Sequence, residues 1–297
     1  MNQPASAIDM PRVAQWRARM RDSVYGMLHG LVPSTSAIVI AHSDEPIDDA
    51  HFEEAVCRNC GKPRPEPHCG ACGQKAVARL DLKDVWREFW QSWRLFEATT
   101  VKASLEMLLA PGRIAREYVL GARKRHVHPL KLLFFAVGML LVVLSQTNYL
   151  ESGQTQLAPL MKKVVSYSRW SFSLTLLAVF GASWIVFRRR LGYNAVEHLV
   201  LAVYTQFLII GANLANLLPL LAWNTPHVAQ QHRALAQWWM GPVELLIVGV
   251  AIVQFQRLKL PRDLLRLAIA LALFYALKTA LLFAYGRLIV QLVLRGA

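Results

Sequence analysis

Acidic side chains are scarce in this chain. Its 297 residues hold 19 Asp and Glu against 33 Lys and Arg, and charged residues of both signs make up only 18%. A soluble domain carries about a quarter charged residues, so this shortage argues against a water-soluble globule. The mean hydropathy of +0.30 likewise argues against a soluble nucleic-acid binder, although the formal net charge is +14. Four cysteines are too few for a disulfide scaffold, and 55% apolar residues are too many for a disordered chain. Also missing are a nucleotide-binding loop, a nucleophile elbow, an HExxH helix and a paired-carboxylate motif, so no residue is assigned a catalytic role. No cleavable signal peptide is expected, because Arg12, Arg17, Arg19 and Arg21 interrupt the first thirty residues. What is present points to an all-α membrane protein.

Five apolar runs approach or exceed the roughly 20 helical residues that cross a hydrocarbon core: about 130–149, 170–187, 196–222, 238–256 and 264–294. Trp170, Trp223, Trp238 and Trp239 sit at run ends, where interfacial rings belong. The fifth run is long enough to hide a break near Tyr285-Gly286. The segments on the N-terminal side of the runs carry 13 Lys and Arg, including Arg188-Arg189-Arg190 and Arg257, against 5 on the other side, Lys162, Lys163, Arg169, Arg233 and Arg295. That bias predicts a cytoplasmic N-terminus and a periplasmic C-terminus in an inner membrane. Ahead of the runs, residues 1–33 read as an amphipathic helix (Val13, Trp16, Met20, Val24, Met27, Leu31), placed either on the inner leaflet or on the protein itself. Residues 34–56 read as an acidic, mobile linker.

All four cysteines fall within sixteen residues. Cys57-Arg58-Asn59-Cys60-Gly61 and Cys69-Gly70-Ala71-Cys72-Gly73 form two Cys-x-x-Cys pairs with eight residues between them. Two such hairpins bring four thiolates together, the soft tetrahedral set that suits structural Zn²⁺; spacing alone leaves iron open. A glycine after each second cysteine permits positive φ. Lys62, Arg64, Lys75 and Arg79 offset the charge of such a centre, and His68 is a spare ligand. The ribbon is assigned residues 57–75, and its full ligand set points to structure rather than chemistry.

These features resemble the bacterial DUF3667 group, zinc-ribbon membrane proteins of unknown function. The similarity runs through His68-Cys69-Gly70-Ala71-Cys72-Gly73-Gln74-Lys75, then Pro111-Gly112-Arg113, Arg116-Glu117-Tyr118, Gly121, Arg123 and Pro129, and returns at Tyr193 to Val200 with Glu197-His198. The chain departs from the family pattern at Ala110, often Arg, and Ala122, often Lys. The resemblance implies the ribbon-plus-spans architecture and no specific activity.

Residues 76–129 form an amphipathic juxtamembrane segment. From Asp81 a helix carries Val85, Trp86, Phe89, Trp90, Trp93 and Phe96 on one side, with Lys83, Arg87 and Arg94 off it. This face either lies among lipid headgroups or packs on the span ends. Arg113, Arg116, Arg123, Lys124 and Arg125 directly precede the first run, a cluster that attracts anionic lipid or fixes topology. Within the bundle of 130–297, His198, Thr205, Gln206, Asn213 and Asn216 share one face of the third run, as a hydrated path or as interhelical glue. Glu197 is expected to pair with Arg190 or cap the run. Glu244 and Lys278 fall at comparable depth and are expected to pair, with Tyr275 and Tyr285 facing the bundle beside Lys278. Two functions fit. One is a scaffold, assembly or signalling factor, with lipids and a ribbon-bound protein as partners and nucleic acid disfavoured. The other is a small transporter or channel using the intramembrane polar residues.

Overall fold

The computed structural model describes residues 46–53, 55–65, 67–91, 107–147, 172–223 and 225–295. The helix expected over 1–33 and residues Trp93, Arg94, Phe96, Lys162, Lys163, Arg169 and Trp170 lie outside them. Among the described residues the fold is helical apart from two isolated antiparallel bridges, Val56–Pro63 and His68–Lys75. In chain order the helices are α1 (Ala50–Glu53), α2 (Leu82–Gln91), α3 (Pro111–Val119), α4 (Pro129–Gln146), α5 (Phe172–Phe187), α6 (Ala195–Leu217), α7 (Pro219–Ala222), α8 (Pro226–Gln256) and α9 (Leu260–Arg295).

Four stretches are long and apolar enough to cross a membrane: α4, α6 continuing through α7, α8 from His227, and α9 to Leu292. This is the pattern of a multi-pass membrane protein. The remaining apolar run is described as α5, whose 16 residues fall short of the roughly 20 that a crossing takes. Two boundaries differ from the expected runs. Helix α8 begins at Pro226, capped by Thr225, and continues through Pro242; Gln230, Gln231, His232 and Arg233 lower the local hydropathy without ending the helix. Helix α9 is unbroken at Tyr285-Gly286, where a lone glycine in a long apolar helix costs only about 1 kcal/mol.

Helix α6 is the axis of the bundle. It packs against α3, α4, α5 and α8, and 67% of its membrane window is buried against 11% for α9, which lies outside on α5. Its first turn closes with a capping box: Asn194 Oδ1 accepts from the Glu197 N–H (2.9 Å), and Glu197 Oε2 accepts from the Asn194 N–H (2.6 Å). Glu197 thus caps the helix, but its ion-pair partner is Arg79, not Arg190. Arg190 makes a bidentate pair with Asp263 at 2.9 Å through both oxygens, joining the α5–α6 turn to α9.

The short helix α3 decides how the ribbon side is built. It occupies the space between α6 and α8, with Ile114, Ala115, Tyr118 and Val119 all buried. Pro111 suits the first helical position because its missing N–H has no helical partner there anyway. Gly112 permits the contact itself. A Cβ there would strike the Ala251 carbonyl and come within 2.7 Å of the Phe255 nitrogen, and its N–H donates to Gln254 Oε1 at 3.0 Å.

The end of the stretch expected to be a mobile acidic linker is seated on the bundle. Ile47 donates its N–H to the Leu191 carbonyl (3.0 Å), and Ile47 and Phe52, the latter within α1, are buried. Two apolar side chains in an acidic context hold it down, a pattern too short to stand out by composition.

The Gly112 contact gives a direct comparison. Gly112→Ala should lower thermal stability in detergent by about 1–3 kcal/mol, because α8 backbone cannot yield as a side chain would. Gly138→Ala, on an open face of α4 with nothing near its Cβ, should be neutral or stabilise by up to about 1 kcal/mol.

Candidate metal centre

Each cysteine hairpin is closed by its own backbone. Cys57 N–H donates to the Lys62 carbonyl (2.8 Å) and Gly61 N–H to the Cys57 carbonyl (2.8 Å); in the second hairpin Cys69 donates to Gln74 (2.9 Å) and Gly73 to Cys69 (2.7 Å). Gly61 and Gly73 sit at φ +73° and +66°, the left-handed region that glycine enters without a steric penalty. The folded hairpins face each other. Cys57 Sγ lies 3.5 Å from Cys72 Sγ and Cys60 Sγ 3.5 Å from Cys69 Sγ, and all four sulfurs fall within 4.8 Å of one another. His68 is exposed and stands outside the cluster.

The electrostatics follow from that crowding. Backbone N–H groups of Cys72 and Ala71 hold the Cys69 thiol down to about 6. At Cys60 the backbone N–H of Lys62 acts in the same direction, but burial and the three neighbouring thiols outweigh it and push the group up to about 12. Four sulfurs this close do not all ionise by themselves. A cation at their centre removes the repulsion, so the donor set fits a metal ion.

The cluster is joined to the membrane helices through the turn after α3. The buried Gln74 donates Nε2 to the Gly121 carbonyl (2.7 Å) and accepts the Lys124 N–H on Oε1 (3.1 Å). Lys124 Nζ donates to the Cys72 carbonyl (2.5 Å). Gly121 has φ +108°, and a Cβ there would press on Val77 and Arg58 at 2.8 and 3.0 Å. Just past the ribbon, Arg79 reaches both oxygens of the fully buried Glu197 (3.2 and 3.3 Å), the Gly192 carbonyl, and Asp49 at 3.4 Å. Arg79 is therefore engaged at the bundle rather than at the cysteines.

The juxtamembrane basic residues divide by environment. Arg116 is buried, donating Nη1 to Tyr193 Oη (2.6 Å) and to the Phe255 carbonyl (3.3 Å). Arg123 pairs with Glu88 (2.5 Å) and donates to the Ala78 carbonyl (2.6 Å), which holds α2 against the turn. Arg113 lies 3.8 Å from Glu117. Burial pushes the Glu117 carboxyl upward, but the His126 ring at 2.8 Å and the charges of Arg125 and Arg113 bring it below its ordinary value. Lys124 and Arg125 are exposed.

Inside the bundle several polar side chains bond to protein. His198 Nδ1 and Ser183 Oγ share a hydrogen bond of 2.7 Å between α6 and α5. Thr205 and Asn213 donate to carbonyls four residues back on their own helix, both at 2.8 Å. Gln206 and Asn216 are buried. Lys278 donates to Glu244 Oε2, tying α9 to α8. Tyr275 does not face the bundle; it is exposed on the outer side of α9, while Tyr285 is half-buried.

The family model described as Protein of unknown function (DUF3667) matches residues 102–141. The match supports the resemblance to DUF3667 over this stretch. In structural terms it supplies α3, the Gly121–His128 turn and the first two-thirds of α4, the parts that receive the ribbon. Ala110 and Ala122, where the chain departs from the family pattern, are both buried. No curated protein and no solved structure matches the chain. Three residues of this assembly are not singled out individually from the sequence, Gln74, Tyr193 and Gln254, and Arg79 is read there only as a charge beside the cysteines. Gln74 and Tyr193 stand inside the stretches that resemble DUF3667, which is a usable signal. Arg79 and Gln254 have no local signal, because their partners lie more than a hundred residues away.

Two outcomes are expected. Glu244→Gln and Lys278→Met should each cost about 3 kcal/mol, since each leaves one buried charge alone, and the double variant should recover much of the loss in thermal melts. His128 is held down to about 4 from 6.5, first by burial, with the charges of Lys131 and Arg123 adding to it. Its folded value is below its unfolded one, so its contribution is complete above pH 6.5 and is lost as pH falls toward 4. That shift corresponds to about 3 kcal/mol. Melting temperature should drop over this window, and His128→Gln, whose amide can also donate to the Val85 carbonyl, should flatten the drop.

Proposed function

We propose that this protein is an integral scaffold of the bacterial inner membrane in which the short α5 serves as a fifth crossing, with its N-terminus and ribbon in the cytoplasm and its C-terminus in the periplasm. The ribbon holds structural Zn²⁺ through Cys57, Cys60, Cys69 and Cys72, and presents a metal-dependent face to a protein partner in an assembly or signalling role. The observation that carries this reading is the attachment of the ribbon to the DUF3667 turn through Gln74, Gly121 and Lys124. A head fixed at several points on the bundle suits a platform.

A single tetrahedral metal fits, because bonds of about 2.3 Å place sulfurs about 3.8 Å apart, close to the 3.5 Å across the hairpins, and a closed set of four thiolates is the usual set of structural zinc. Four thiolates leave no open coordination position for chemistry. The 13-to-5 distribution of Lys and Arg supports the orientation. The transport reading is the weaker one. His198, Thr205 and Asn213 bond to Ser183 or to their own helix, and Glu244 is matched by Lys278, which suits internal fastening better than a hydrated path.

The test combines metal analysis with cross-linked capture from membranes, using wild type and Cys57→Ser/Cys69→Ser. The expected result is one zinc per wild-type chain, and a defined set of cross-linked proteins that disappears with the metal in the double variant. Recovery of the same proteins after metal loss would overturn the docking role, and iron in the purified protein would overturn the zinc assignment.

A further inference from the structure

Helix α2 has an apolar arc that the protein only half covers. At 3.6 residues per turn, Val85, Phe89, Leu82, Trp86 and Trp90 follow one another around about 140° of its circumference. Val85 and Phe89, at one edge, are buried. Leu82, Trp86 and Trp90, at the other, are exposed, the two tryptophans by 52% and 57%. Beyond Trp90 the arc gives way to exposed Lys83 and Arg87. Exposed tryptophan bordered by basic residues matches the amphipathic, cation-rich chemistry of a lipid headgroup zone.

The position of α2 makes the occupant specific. Phe89 stacks on Phe134 of α4 at 5.4 Å between ring centroids, and the Trp86 and Trp90 rings adjoin Phe89 at 5.8 and 5.5 Å. Phe134 lies five residues into α4, about 7.5 Å along its axis, the depth at which interfacial helices bury their apolar face. Phe134 and Phe135 are themselves exposed on the outside of α4. The aromatic surface of the membrane helix therefore continues without a gap onto the open edge of α2. A protein covering this surface would have to straddle water and hydrocarbon. Two fastenings fix the orientation of α2: His128 Nε2 to the Val85 carbonyl (3.1 Å), and Glu88 to Arg123 and Tyr118.

We propose that α2 is an interfacial helix that seats Trp86 and Trp90 in the ribbon-side leaflet, with Lys83 and Arg87 at the level of anionic lipid phosphates. The inference shares with the proposed function only that α4 crosses the bilayer; neither zinc nor a protein partner enters it.

The test uses the full-length protein in nanodiscs of anionic phospholipid, with bromine atoms carried either near the headgroup or near the chain end. Tryptophan emission from Trp86 and Trp90 is taken as the difference between wild type and Trp86→Phe/Trp90→Phe, with equal metal content as the check that the variant is folded. That difference should be quenched most by the shallow bromines, less by the deep ones, and little by aqueous iodide. Lys83→Glu/Arg87→Glu should weaken the shallow quenching and raise iodide access. Quenching by iodide and not by bromine would mean that the face is in water and would overturn the proposal. Insensitivity to both quenchers would mean that protein or a second copy covers it, and would overturn it equally. The remaining tryptophans, among them exposed Trp238 and Trp239 on α8, separate the two failures: if bromine quenches them but not the difference, the membrane reading stands and the seating of α2 fails.

Discussion

The guanidinium of Arg116 is where the parts of this protein meet. A charged group at 3% exposure is costly to bury unless it is hydrogen-bonded, and here Nη1 reaches Tyr193 ahead of α6 and the Phe255 carbonyl near the end of α8. That requirement fixes α3 in rotation and depth. With α3 fixed, Gly112 must face the α8 backbone, and Gly121 must emerge where the ribbon's Gln74 can take its carbonyl. The ring of Tyr193 packs on Phe255 at 4.5 Å, so the same few residues close the apolar core and answer the charge. Head and bundle are in this sense one structure with a polar joint.

The same accounting runs through the ribbon side of the bundle. Arg79 answers Glu197, Arg190 answers Asp263, and Arg123 answers Glu88. Each pair links segments distant in sequence, and each has at least one partner largely withdrawn from water. Exposed ion pairs contribute little, but withdrawn ones are costly to break singly. The ribbon side is therefore secured by several joints that fail badly one at a time. At mid-membrane depth the only such joint among the described residues is Lys278 with Glu244.

Much of this was legible in the chain because hydropathy and metal spacing are local signals. Four of the apolar runs correspond to α4, α5, α6 with α7, and α9 within a few residues, and the cysteine spacing alone placed four sulfurs together. The fourth run began twelve residues late, since Gln230 to Arg233 depress hydropathy while the Thr225-Pro226 cap already marks the helix start. The burial of Arg116 was not legible. In a row of juxtamembrane arginines nothing local separates the one facing Tyr193 from Arg125, which stays exposed. The cap at Glu197 was one of two roles expected at the start of its run, whereas its pairing with Arg79 spans 118 residues and depends wholly on the tertiary fold. Tyr275 illustrates the converse: helical spacing puts it near the Lys278 face, but only the packing of α9 against α5 decides that the ring points outward.

If the metal centre, the DUF3667 turn and the start of α6 form one joined unit, they should open together. Hydrogen exchange followed by mass spectrometry, on protein in nanodiscs before and after metal chelation, measures this directly. The account predicts that residues 57–75, 111–125 and 193–200 lose protection in concert, while 205–217 keep theirs. Loss of protection confined to 57–75, with the α3 segment and the start of α6 unchanged, would contradict it.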